Sequence, residues 1–310
     1  MITCFDIGGS AIKSAVALSP SAIRSMARVP TPLDDFEAFA AALASRVAAV
    51  PAEARRMIAI SITGVVDPVS GIITCANIPC IDGRPLAADL AKRLGSSVSI
   101  ANDADCFALA EAVEGVGRGH RVVFGAILGT GVGGGLVIDG EIITGPGGYA
   151  GEWGHGPISA TCVGEPPVEI PRLPCGCGLV GCLDTLGGAR GLERLHRHLH
   201  GEDLASRAII DAWLDGHVGA TSTIDCYVDI VSAPLALIAN TVGAGIVPVG
   251  GGLGRVPRLI GRLDILVRQR ILRRTTTALV VPSSLPLEPG LMGAAILGFR
   301  GDLGIRGERS

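Results

Sequence analysis

Charge is scarce in this chain. Acidic and basic residues make up 18% of its 310 positions, and 26 Lys and Arg set against 29 Asp and Glu leave a net charge of −3. Such a balance lacks the electrostatic footprint of a nucleic-acid binder. Small anions remain within reach, because backbone N–H groups that hold them do not register in the net charge. An export leader is missing too: MITCFDIGG has neither a basic n-region nor an apolar h-region, so a cytoplasmic location is expected. The most apolar stretch, Ile230 to Val249, contains Pro234, Asn240 and Pro248 and is cut by Gly243 and Gly245. A buried helix followed by a buried strand explains it better than a membrane span.

What the chain does have is apolar residues, 48% of the total, and glycine, 45 positions in all. It is long enough for two ordinary domains or one large two-lobed enzyme. Strand patterns are read at Ile2–Ile7, Ala11–Leu18, Met57–Ile62, Val98–Ala101, Val122–Leu128, Ile246–Val249 and Thr277–Val281. Helical patterns are read at Phe36–Val50, Leu86–Leu94, Ala104–Glu114, Thr223–Val242, Arg255–Arg270 and Leu291–Arg300. Alternation of the two places the chain in the α/β class. Each half opens with a strand, a glycine turn and a strand, which suggests two related halves. The charged, Gly-rich tail from Gly301 is expected to fray.

Three glycine clusters invite phosphate. In DIGGSAIK, Asp6 closes a strand and is followed by Gly8, Gly9, Ser10 and Lys13. Glycine lets the main chain approach a ligand and aim successive N–H groups at phosphate oxygens. Asp6 is placed to hold magnesium through water, and Lys13 to add positive charge. GTGVGGG, from Gly129 through Thr130, Gly131, Gly133, Gly134 and Gly135, reads as a second such loop between strands. It has neither the Gly-Lys-Ser/Thr ending of a Walker loop nor the helix that follows a Rossmann loop. Gly250, Gly251 and Gly252 follow a buried strand and suit a nucleoside lying against backbone. Each cluster, taken singly, is equally a tight turn or a loop that needs freedom.

Asn102 and Asp103 stand between a strand and a helix. The helix macrodipole favours an ionised carboxylate there by ~0.3–1 kcal/mol, which suits a base acting on a substrate hydroxyl. An N-cap is the competing use of the same residues. Asp105, one position into the helix, is assigned only dipole complementation.

With no leader expected, the nine cysteines are not expected to form a disulfide framework. Six are scattered, and Cys175, Cys177 and Cys182 lie within eight residues in CGCGLVGC. Three thiolates need a fourth ligand to close a tetrahedral zinc site, and His155 in GEWGH is the best candidate. His196, His198 and His200 form a rival cluster, but their polar setting reads as a solvated face.

The order DIGGS-x-x-K, NDAD, GTGVGGG, E-x-G-H, CGCG-x-x-GC and a late GGG resembles the ROK sugar kinases across almost the whole chain. Longer stretches, among them RVPTPLDDFEAF and ANIPCIDGRPLAADL, are similar to the N-acetylglucosamine kinases of that family. The resemblance implies a two-lobed actin-like (ribonuclease H-like) ATPase fold of mixed sheets flanked by helices. The lobes are expected at residues 1–115 with 290–310, and at 116–289. It implies ATP with Mg2+ and transfer of phosphate to the 6-hydroxyl of N-acetyl-D-glucosamine. Other hexose kinases of the family (glucokinase, fructokinase, N-acetylmannosamine kinase) are the alternatives. Asp103 would take the hydroxyl proton, and Gly64, Asn102, Glu152, His155 and Asp184 would hold the sugar. Zinc would sit on His155, Cys175, Cys177 and Cys182. A homodimer is common in the family. Sugar-responsive regulators of the family carry a helix-turn-helix ahead of the core, for which no room is expected before Asp6.

Three departures stand out. Ser10 replaces the usual Thr but keeps the hydroxyl. Asp184 replaces Glu, with shorter reach. Pro248 interrupts a strand and suggests an edge or bulge there.

Overall fold

The computed structural model describes residues 1–285 and 288–307. The chain forms two compact units. Unit 1 comprises Met1–Arg118, Gly135–Ala150 and the segment from Leu285 onward; unit 2 comprises Gly119–Gly134 and Gly151–Ser284. Residues 135–150 therefore group with the N-terminal segment in unit 1.

The unit 1 sheet runs in the order Ile23–Ser25, Ala11–Ala17, Ile2–Ile7, Met57–Ile62, Ser97–Asn102. The first hairpin is antiparallel, whereas Ile2–Ile7, Met57–Ile62 and Ser97–Asn102 are parallel. Period-2 alternation divides their side chains between two faces. Phe5, Ile7, Ile58, Ile60 and Ile62 pack with Phe39, Leu43, Leu86 and Leu90 of the helices Phe36–Ala48 and Leu86–Leu94. The other face carries smaller residues, Cys4, Ala15, Ala17 and Ala59, beneath Leu291, Ala294 and Ala295. Those last three belong to the helix Pro289–Gly307. The close approach is needed: a Cβ on Gly298 would lie 2.8 Å from Ala59 Cβ. Each buried Leu or Ile contributes ~1.5–3 kcal/mol relative to exposure. The tail expected to fray is helical through Gly307, and 308–310 lie outside the described residues.

In unit 2 the strands Val122–Leu128, Val247–Gly250 and Val280–Pro282 lie side by side in parallel. Pro248 is thus in a central strand, neither on an edge nor at a bulge. N–H groups of successive strand residues point to opposite neighbours. Val247 donates to Leu279 on one side, so the missing donor of Pro248 falls on the other and removes one ladder bond. Val122–Leu128 is followed by the strand Val132–Ile138. The loop between them is therefore only Gly129–Gly131, and Gly133, Gly134 and Gly135 are strand residues.

The long helix Val218–Val242 is, by length and composition, the one described helix that could cross a membrane, with 56% of its apolar window buried. Two helices went unread in the sequence, Ala189–His200 and Ser206–Leu214. The first buries Leu192, Leu195 and His196. His196 is 1% exposed, which corrects the solvated-face reading. Its Nδ1 and the Nε2 of His200 lie 2.8 and 3.1 Å from Thr223 Oγ1, while His198 Nε2 lies 3.0 Å from Glu169 O. His196 and His200 thus meet at Thr223 Oγ1, with ring centroids 4.8 Å apart, and His198 turns elsewhere.

Candidate active site and metal knuckle

Parallel pairing in unit 1 aligns three strand ends. Ile7 is in register with Ile62, and Ile62 with Asn102. The chain leaves this one row three times, into Gly8-Gly9-Ser10, into Thr63-Gly64 and into Asp103. Residues far apart in sequence thus gather beyond the carboxyl ends of parallel strands, where open α/β sheets bind ligands. Gly64 is obligatory in its place: its φ is 110°, and a Cβ would come within 2.8 Å of Thr74 O.

Asn102 caps the helix Asp103–Val113. Its Oδ1 accepts from Ala104 N–H at 2.8 Å and its Nδ2 donates to Gly64 O at 2.9 Å. The side chain therefore ties two of the three strand ends together. Asp103 is the first helical residue, half-buried, with Oδ1 2.9 Å from Ala104 N. Gly135 packs against this helix start, since a Cβ there would lie 2.7 Å from Ala104 O. Tight packing, not a loop, explains that glycine.

Asp6 accepts from Ser61 Oγ at 3.0 Å and from Lys13 Nζ at 3.1 Å. Lys13 also donates to Glu288. Partial burial lowers the pKa of Lys13, but its bonds and charge interactions with Glu288 and Asp6 outweigh that and leave it raised. Asp6 also adjoins the start of the last helix, where a Cβ on Gly290 would come within 2.5 Å of Oδ1.

Unit 2 gathers a second group. The turn Gly129–Gly131 meets two other glycine segments. A Cβ on Gly251 would lie 2.4 Å from Leu128 O, and one on Gly188 would lie 2.6 Å from Thr130 O. Gly250 is in register with Ile127, which brings the two strand ends together. A cavity of about 520 Å³ adjoins these segments, lined by Ala189, Ile210, Asp211, Gly252, Leu253 and Val256 among others. Sequence reasoning missed all of these except Gly252. The glycine pair Gly187-Gly188 ahead of a helix was the available signal.

Glu152 and His155 bracket a single helical turn, Trp153–His155, anchored by Trp153 Nε1 donating to Gly133 O at 2.7 Å. Burial raises the pKa of Glu152; His155 lowers it and Asp184 raises it further. Asp184 was expected at the sugar, yet its Oδ1 accepts from Val132 N–H at 2.7 Å.

His155, Cys175, Cys177 and Cys182 place one donor atom each within 4.8 Å of one another. A tetrahedral zinc with Zn–S ~2.3 Å and Zn–N ~2.05 Å requires S···S near ~3.8 Å and S···N near ~3.6 Å. Cys177 and Cys182 sulfurs are 3.7 Å apart, and Cys175 Sγ lies 3.6 Å from His155 Nδ1. The donor set fits. Nδ1 faces the thiols, while Nε2 lies 3.8 Å from Glu152 Oε2. Glycines at φ 90° and 80°, Gly178 and Gly181, turn the knuckle. The segment between His155 and Cys175 is not all loop, because Cys162–Val163 pairs with Val168–Glu169.

The ROK family model matches residues 2–300. The chain belongs to the ROK family. Among its relatives is an N-acetylgalactosamine kinase of Shewanella sp. (strain ANA-3), 36% identical over 302 residues that cover 97% of each protein. An N-acetyl-D-glucosamine kinase of Escherichia fergusonii is 36% identical over 261 residues, covering 84% of this chain and 86% of the relative. Among solved structures, a ROK family glucokinase from Streptomyces griseus in complex with glucose and AMPPNP superposes with a TM-score of 0.78 at 26% identity. That match covers 96% of this chain and 99% of the glucokinase.

Proposed function

We propose that this ROK protein is a cytoplasmic, ATP-dependent N-acetylhexosamine kinase that phosphorylates the 6-hydroxyl of N-acetyl-D-glucosamine. The observation that carries the reading is the aligned row of strand ends in unit 1, which sets Asp103 beside Asn102 and Gly64. Asp103 accepts the proton of the 6-hydroxyl as its oxygen bonds to the γ-phosphorus and the bond to the ADP oxygen breaks. At the first position of a helix its ionised form is favoured. Asn102, Glu152 and His155 orient the sugar hydroxyls, and such positioning supplies much of the rate in phosphoryl transfer.

Within unit 1, Gly8, Gly9, Ser10 and Lys13 are the residues offered to nucleotide phosphate; within unit 2, Thr130, Gly131 and Gly250–Gly252 are. The 520 Å³ cavity beside Gly252 combines apolar walls (Ile210, Leu214, Leu253, Val256) with the polar Arg207, Asp211 and Arg255, a mix that suits a purine base. Magnesium bound with ATP neutralises developing phosphate charge, and Asp6 is the carboxylate placed to orient it. The Cys3His set holds a structural zinc, which fixes His155 through Nδ1 and leaves Nε2 for polar contact.

A second reading, N-acetyl-D-galactosamine as substrate, is favoured by the relative that matches 97% of this chain. The two sugars differ only in the configuration at C4. A coupled ATPase assay across N-acetyl-D-glucosamine, N-acetyl-D-galactosamine, N-acetyl-D-mannosamine and glucose decides between them. The highest kcat/KM is expected for N-acetyl-D-glucosamine. Higher values for the galacto sugar would move the assignment, and no turnover of any of the four would refute the kinase reading.

A further inference from the structure

Asp184 is committed to a backbone turn, although it also lies near enough to Glu152 to raise that group's pKa. Its Oδ1 accepts from the backbone N–H of Val132, and a Cβ on Gly131 would lie 2.2 Å from the same oxygen. Val132 is the residue that ends the Gly129–Gly131 turn. The rest of the Asp184 segment follows the same turn: Ala189 N–H donates to Gly129 O at 2.8 Å, and Gly188 leaves no room for a Cβ above Gly131. This segment is itself held fast. Tyr227 Oη donates to Gly187 O and Arg194 Nη1 donates to Thr185 O, each at 2.7 Å, and Cys182 belongs to the metal cluster.

Two of the three positions of the turn are glycine, and its own backbone contributes one bond, from Gly129 N–H to Gly131 O at 3.0 Å. An ionised acceptor on an N–H is about twice as strong as a neutral one. The Asp184 carboxylate therefore adds a strong restraint to a glycine-rich turn.

We infer that Asp184 is a positioning residue of the nucleotide turn rather than a sugar ligand. By holding Val132, it keeps Gly129–Gly131 in the shape that receives phosphate, and it links that turn to the metal knuckle two residues away. The inference rests on the kinase reading above.

The test compares wild type, Asp184→Ala and Asp184→Asn. Steady-state KM is measured for ATP and for the sugar, and a non-hydrolysable ATP analogue is titrated calorimetrically. Alanine is expected to raise the ATP KM and the analogue Kd about tenfold or more, with the sugar KM changed less than about twofold. Asparagine keeps an amide oxygen for the Val132 N–H and should restore nucleotide binding to within about threefold of wild type. A rise confined to the sugar KM, in either variant, overturns the inference. So does an alanine variant with an unaltered ATP KM, or an asparagine variant as impaired toward ATP as alanine. If the alanine protein does not fold, asparagine decides: near-normal KM for both substrates supports the turn role, and lost sugar affinity refutes it. A wild-type protein that binds no nucleotide and phosphorylates no sugar would instead defeat the kinase reading itself.

Discussion

At the residue scale, a polar side chain beside a helix start can cap the helix or stay open to a ligand, and here the cap falls to Asn102. Asp103 stands one position further in. The sequence could name this pair but not divide the labour, because Asn and Asp cap helices about equally well. Removing the charge while keeping the shape separates base from scaffold. Asp103→Asn is expected to lower kcat by about 10²–10⁴-fold, with equilibrium sugar binding nearly unchanged by calorimetry. Turnover close to wild type would remove Asp103 from the proton transfer. The glycines divide in a similar way. Gly64 and Gly135 are required by neighbours that a Cβ would strike, whereas Gly8 and Gly252 have open space where a side chain would be. Open glycines at a strand end are the ones a ligand can approach.

The knuckle shows what an element adds to its residues. Four donor atoms lie within 4.8 Å of one another, although Cys177 is exposed and Cys182 buried. Backbone N–H donation from Leu179 lowers the pKa of the Cys177 thiol, and burial raises that of Cys182. Metal binding must then overcome the cost of ionising a buried thiol, which a divalent cation does readily. Purified protein is expected to carry about one zinc per chain by elemental analysis, and Cys175→Ser to lose it. The variant should also melt at lower temperature and show weaker sugar binding through the unfixed His155. Full zinc occupancy in Cys175→Ser would disprove that ligand. A different element, the helix Ala189–His200, escaped the sequence reading because three histidines and four arginines or glutamates mask its apolar stripe. The stripe shows only once Leu192, Leu195 and His196 are seen to be buried together.

At the scale of the whole molecule, the chain passes between its units more than once, so each unit is built from separated segments. This division predicts where ligands protect the backbone in hydrogen exchange. A non-hydrolysable ATP analogue should slow exchange in residues 8–13 of unit 1 and in residues 128–133, 186–192 and 250–256 of unit 2. The sugar should slow exchange in 63–65 and 101–105 of unit 1 and in 151–156 of unit 2. Uniform protection across both units by either ligand alone would contradict separate binding groups. By itself the sequence determined the strand–glycine–strand openings, the clustered thiols with His155, and a polar pair before a helix. Backbone dihedrals, thiol chemistry and helix starts depend on residues a few positions apart, so local pattern suffices to read them. Tertiary structure alone decided that Ile7, Ile62 and Asn102 share one row, that Pro248 sits in a central strand, that His196 is buried, and that Asp184 bonds Val132. Each of those outcomes depends on which distant segments pack together. That choice is made by the summed burial and hydrogen bonding of the whole chain, which no short window of sequence contains.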